Sequence, residues 1–180
     1  MKKKKFIPKS EQSDDFVIFD LSTDLPDYTL AFHLNKTLKA HLERETDLKV
    51  YYSSPENPET FSFYFCEQER ARNMFLIHSL DSQQALMKSY FLIFQGYFSK
   101  EDLDLIISSI ETIESILNIN EIKLLPTTGK ISAALKKKLA LVKAILSDME
   151  YHMIEVDRKR MEQTVQLKKK TAIIKKLYKG

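Results

Sequence analysis

The chain has 180 residues, 43% hydrophobic and 11% aromatic, with one cysteine and a formal net charge of +3. These totals suffice for a packed core and exclude wholesale disorder, and a lone thiol excludes an intrachain disulfide scaffold. The small net charge conceals a polarised chain: residues 1–9 carry +5, residues 10–130 carry −10 and residues 131–180 carry +8.

Lys2 to Lys5 resemble the charged start of a signal peptide, but Ser10, Glu11, Gln12, Asp14 and Asp15 arrive before any apolar stretch. Nothing approaches the roughly 18 apolar residues that a membrane span needs. The expectation is a basic, flexible segment over 1–14, no transmembrane segment and a cytoplasmic protein.

Asp15 to Leu21 reads as a first strand. Asp24-Leu-Pro-Asp27 then opens a helix, with Asp24 as the N-cap and Pro26 in the first turn. Leu30, Leu34, Leu38 and Leu42 form one stripe and carry the helix to about Glu43. Strands follow at Leu48–Ser53, Thr60–Cys66, Met74–Leu80 and Lys88–Phe98, the last with a bend expected at Gly96. Their short connections favour an antiparallel meander. Ser99-Lys-Glu-Asp102 has the form of a capping box, and the helix behind it buries Leu103, Ile106, Ile107, Ile110 and Ile113. A last strand is read over Leu117–Leu125, closed by Pro126 to Gly129. The order β-α-β-β-β-β-α-β predicts an α+β domain over 15–125, with helices on one face of a mostly antiparallel sheet.

Residues 131–179 contain neither Gly nor Pro. Leu135, Leu139, Val142, Leu146, Met149, Met153 and Val156 recur at spacings of 4 and 3, the pattern of a coiled-coil seam. The register then meets Arg160 and Gln163, so a break is expected at Asp157–Arg160, with weak recovery at Leu167, Ile174 and Leu177. This long basic helix is read as an extension over 131–179 whose apolar face needs a partner, or which must turn back on itself.

The segment from Leu25 to Leu48 resembles the first helix of the IPExxxVDY family, small bacterial proteins without an assigned activity. The likeness rests on Asp27 and Tyr28, on Leu34-Asn-Lys36 and on Leu42-Glu-Arg44. It continues through Phe61-Ser-Phe-Tyr-Phe65, Phe75-Leu-Ile-His-Ser79 and Tyr90-Phe-Leu-Ile-Phe94. Ser82-Gln-Gln84 stands where the family has Ile-Pro-Glu, and Lys88-Ser-Tyr90 where it has Val-Asp-Tyr. The resemblance implies the fold and the compartment, and no chemistry.

The residues themselves point to little chemistry. His33, His41, His78 and His152 have no metal-ligand spacing, and Cys66 has no charged neighbour that would activate it. Gly96, Gly129 and Gly180 are scattered singly, so no loop cradles a phosphate. No catalytic residue, metal or cofactor is assigned, and the reading leans away from an enzyme without closing that class. Tyr28, Asn35, Lys36 and Arg44 form a candidate ligand face on the first helix. Lys168, Lys169, Lys170, Lys175 and Lys176 are candidate contacts for nucleic-acid phosphates, with few aromatics nearby for base stacking. The leading expectation is a protein that binds a protein partner, or its own copies, through the seam Leu135, Leu139, Val142, Leu146, Met149 and Met153. Nucleic-acid association through the basic ends is the first alternative, and a ligand-binding or enzymatic domain centred on the first helix is the second.

Overall fold

The computed structural model describes residues 16–52, 54, 56–68, 72–79, 86–124 and 131–177, with backbone alone at 163 and 166–177. The strands are β1 (Phe16–Thr23), β2 (Glu43–Arg44), β3 (Leu48–Val50), β4 (Glu59–Gln68), β5 (Arg72–Ser79), β6 (Lys88–Gln95) and β7 (Ile116–Glu121). The helices are α1 (Asp27–Leu38), α2 (Lys100–Glu111) and α3 (Ala133–Leu177). The strands make a seven-stranded, mostly antiparallel sheet in the order β2-β4-β5-β6-β1-β7, with β3 paired to β4. The class is α+β, as the alternation of elements predicts.

The chain divides into two compact units. The first holds β1, α1, β4 from Tyr64 onward, β5, β6, α2 and β7. Its core is built in cross-strand rows. Val17, Phe94 and Met74 share one row, Phe19, Leu92 and Leu76 the next, and Leu21, Tyr90 and His78 a third. Leu30, Ala31 and Leu34 of α1 and Ile110 of α2 join these rows in one buried cluster. Residues 18–21, 74–78 and 90–94 are buried without alternation. Strands buried on both faces read as continuous apolar runs, which is why Val-Ile-Phe and Tyr-Phe-Leu-Ile-Phe lack a period of two.

Two helix boundaries in this unit correct the sequence reading. α1 begins at Asp27 behind Pro26, which provides no side-chain cap, so Asp24 is not the N-cap. α1 also ends at Leu38 rather than near Glu43. Lys39 takes a left-handed conformation (φ 52°, ψ 38°) and the N–H of Ala40 donates to the Asn35 carbonyl. Asn35 itself then ties down Leu42, its Oδ1 accepting from Leu42 N–H at 2.7 Å and its Nδ2 donating to Leu42 C=O at 3.1 Å. With the helix stopped, Glu43 and Arg44 become β2.

α2 starts as expected. Ser99 Oγ accepts from Asp102 N–H at 3.1 Å and the Asp102 carboxylate accepts from Ser99 N–H at 3.3 Å. Those bonds, with Arg72 at 3.0 Å, hold the Asp102 carboxyl below its ordinary range. Gly96 lies just past β6 at φ 102°, a value open mainly to glycine.

The second unit holds β3, the first half of β4 and α3. β3 pairs with β4 through Leu48–Phe61 and Val50–Glu59, and α3 packs on β3. α3 runs unbroken for 45 residues, about 66 Å at roughly 1.5 Å per residue. The expected break at Asp157–Arg160 is therefore absent from the helix. Among the described residues the buried stripe ends at Val156, and one turn further on Arg160 pairs with Glu45. The expected segment 1–14, Ser82 to Gln84 and Pro126 to Gly129 lie outside the described residues.

Candidate interaction surface of the C-terminal helix

α3 presents two apolar stripes. The first is buried: Leu139, Val142, Ile145, Met149 and Val156 are at most 8% exposed. Polar contacts fasten the same face to residues 44–63. Tyr51 N–H donates to Asp148 Oδ2 at 2.9 Å, and the Tyr52 hydroxyl donates to the Lys137 carbonyl at 3.3 Å. His152 sets its ring edge against Phe63, with centroids 4.9 Å apart. Burial lowers the pKa of its imidazole, more than the Thr46 carbonyl and the neighbouring Glu155 raise it. Arg160 and Glu45 close this line of contacts, and Arg44 braces the segment through Asp47 and the carbonyls of Glu45 and Phe63.

Of the six residues expected in the seam, Leu139, Val142 and Met149 are buried, Leu146 and Met153 are half-buried, and Leu135 is 42% exposed. Ile145 was not expected in the stripe, yet it is fully buried. Ile145 and Leu146 flank the same line of a straight helix. A strict 3.5-residue repeat selects Leu146, whereas the 3.6-residue turn brings in Ile145.

The second stripe points away from the first. At about 100° per residue, Tyr151, Ile154, Met161 and Val165 fall on one line, roughly 150° from the centre of the buried stripe. They are 71%, 67%, 65% and 50% exposed. Arg158 occupies the gap in that line, and Glu150, Glu155, Asp157 and Glu162 are exposed beside it. An apolar line with charged borders is the geometry of a helix-pairing surface. The spacing 151, 154, 158, 161, 165 is visible in the sequence, but the longer stripe on the other face masks it.

The remaining candidates do not converge. Lys168, Lys169, Lys170, Lys175 and Lys176 lie on the backbone of α3, and their side chains fall outside the described residues. Tyr28 is 68% exposed, while the Asn35 amide is bound to Leu42. Lys36 lines a shallow cleft of about 440 Å³ with His33, Thr37, Thr112, Ile113, Glu114 and Ser115, which includes neither Tyr28 nor Asn35. Arg44 belongs to the second unit and the other three to the first. His78 is buried against the ring of Tyr90 at 4.3 Å and bonds through Nδ1 to the Ser89 carbonyl. Cys66 is buried and receives the His41 N–H at 3.4 Å. Among the described residues no group of His, Cys, Asp and Glu is placed to hold a metal ion. No helix among them is long and apolar enough to cross a membrane.

Compared with protein-family models, with curated proteins and with solved structures, the chain matches none.

Proposed function

We propose that this protein is a non-enzymatic, cytoplasmic assembly module that associates with its own copies through the distal part of α3. The observation carrying this reading is the second stripe, Tyr151, Ile154, Met161 and Val165, exposed on a helix whose opposite face is already buried. A helix held along one face is oriented before it meets a partner, which lowers the ordering cost of association. The seam Leu135, Leu139, Val142, Leu146, Met149 and Met153 serves in this reading chiefly to fix the helix, and the pairing surface is the exposed line. The likeness to the IPExxxVDY family agrees with an α+β body and adds no activity.

A second reading, contact with nucleic acid through the basic ends, draws on the +8 balance of residues 131–180. The acidic residues beside the exposed stripe oppose a phosphate backbone there.

Co-expression of a tagged and an untagged copy tests the proposal. The untagged wild-type chain is expected to co-purify with the tagged one, and the Ile154→Asp/Met161→Asp variant is expected not to. Absence of the untagged wild-type chain, or its retention by the doubly substituted one, contradicts the reading.

A further inference from the structure

Charge along α3 changes sign midway through the exposed stripe. Residues 147–162 carry five acids and three bases, whereas residues 163–180 carry six lysines and no acid. The helical line through Tyr151, Ile154, Arg158, Met161 and Val165 runs on through positions 168, 172 and 175, occupied by Lys, Ala and Lys. The border of that line, taken every seven residues, reads Glu155, Glu162, Lys169, Lys176. Two copies laid parallel would set acid beside acid and lysine beside lysine along their whole length. Laid antiparallel, the acidic half of one copy faces the lysine half of the other.

We propose that the occupant of the exposed stripe is the lysine-rich end of α3 from a second copy, in an antiparallel, two-fold pair. The inference rests on the self-association proposed above and adds its partner segment and direction. The lengths allow it: with the two-fold axis between Met161 and Val165, residues 151–160 of one copy lie along residues 166–175 of the other, within a helical run that extends to Leu177. Lysine stems are long enough to lie on apolar side chains while the ammonium groups reach the flanking carboxylates. Met161 and Val165 fall near the two-fold axis, where an apolar layer stabilises most. An isologous contact of this kind closes on itself and yields a dimer rather than a filament.

Sedimentation equilibrium of the full chain tests it. Raising NaCl from 50 to 500 mM is expected to weaken wild-type dimerisation at least tenfold, since the pairing charges are exposed and screened. Glu155→Lys/Glu162→Lys alone, and Lys169→Glu/Lys176→Glu alone, are each expected to weaken it at least tenfold. An equimolar mixture of these two variants is expected to restore a dimer. Direction is read by oxidative cross-linking, in which Tyr151→Cys is expected to couple to Lys175→Cys of another copy and not to Tyr151→Cys. If the charge-reversed variants keep the wild-type dimer while Ile154→Asp/Met161→Asp loses it, self-association stands and the lysine partner is wrong. A 151–151 cross-link would overturn the antiparallel direction. If the mixture stays monomeric while the wild type binds a 20-base-pair DNA duplex in a salt-sensitive way, the lysines serve nucleic acid and the proposal falls.

Discussion

The side chain of Asn35 holds the main chain of Leu42 at both of its polar groups, accepting from its N–H at 2.7 Å and donating to its carbonyl at 3.1 Å. A carboxamide is the side chain that can offer donor and acceptor together in that geometry. It substitutes for a strand partner where the chain leaves α1 and enters β2. Asn35→Ala is expected to cost about 2–3 kcal/mol, because two backbone groups in a partly buried site lose their partners. Asn35→Asp keeps the acceptor alone and is expected to fall between. Urea titration of the three proteins checks this, and an unchanged midpoint for Asn35→Ala would deny Asn35 its structural role.

Lys39 ends α1 at φ 52°, a conformation that a side chain disfavours. Lys39→Gly is expected to stabilise the fold by about 0.5–1 kcal/mol, once the larger unfolded-state entropy of glycine is subtracted. A higher thermal midpoint is the expected result. A lower one would mean that the lysine side chain contributes something its geometry does not reveal.

Burial holds the imidazoles of His78 and His152 below their ordinary pKa of 6.5. Between that value and the lower folded ones, the unfolded chain binds protons that the folded chain does not. Stability is therefore expected to be level above about pH 7.5, to decline as pH falls through 6.5, and to level again once the folded imidazoles are protonated. His152→Gln is expected to flatten part of the decline. Equal urea midpoints at pH 8.0 and pH 5.5 for the wild type would contradict the burial of these rings.

The two stripes of α3 are expected to respond differently to truncation. Ile145→Ala, in the buried stripe, is expected to cost about 2–4 kcal/mol through lost burial and the cavity left behind. Ile154→Ala, 67% exposed, is expected to change monomer stability by less than about 0.5 kcal/mol. Denaturation at low protein concentration separates them, and equal losses would mean that both faces are buried.

What was legible in the sequence is what local chemistry determines. The capping box at Ser99 and Asp102, the bend at Gly96 and the apolar runs of β1, β5 and β6 all appear where the residues indicated. The end of α1 was hidden, because a lysine in a left-handed turn carries no glycine signal and Leu42 continued the helical stripe beyond the true stop. The capping residue at Asp24 was misplaced, since Pro26 alone starts the helix. On α3 the buried stripe was largely readable, but a residue such as Arg160 looks like a defect until its partner Glu45 is known. Exposure of the second stripe could not be read at all, because it depends on which face the 44–63 segment engages.

Light scattering coupled to size exclusion, on the full chain and on Ile154→Asp/Met161→Asp, tests the central claim most directly. The account predicts twice the 21.1 kDa monomer mass for the wild type and the monomer mass for the variant, with the same far-ultraviolet spectrum. A wild-type monomer at about 100 μM, or a variant that keeps the wild-type mass, would contradict it.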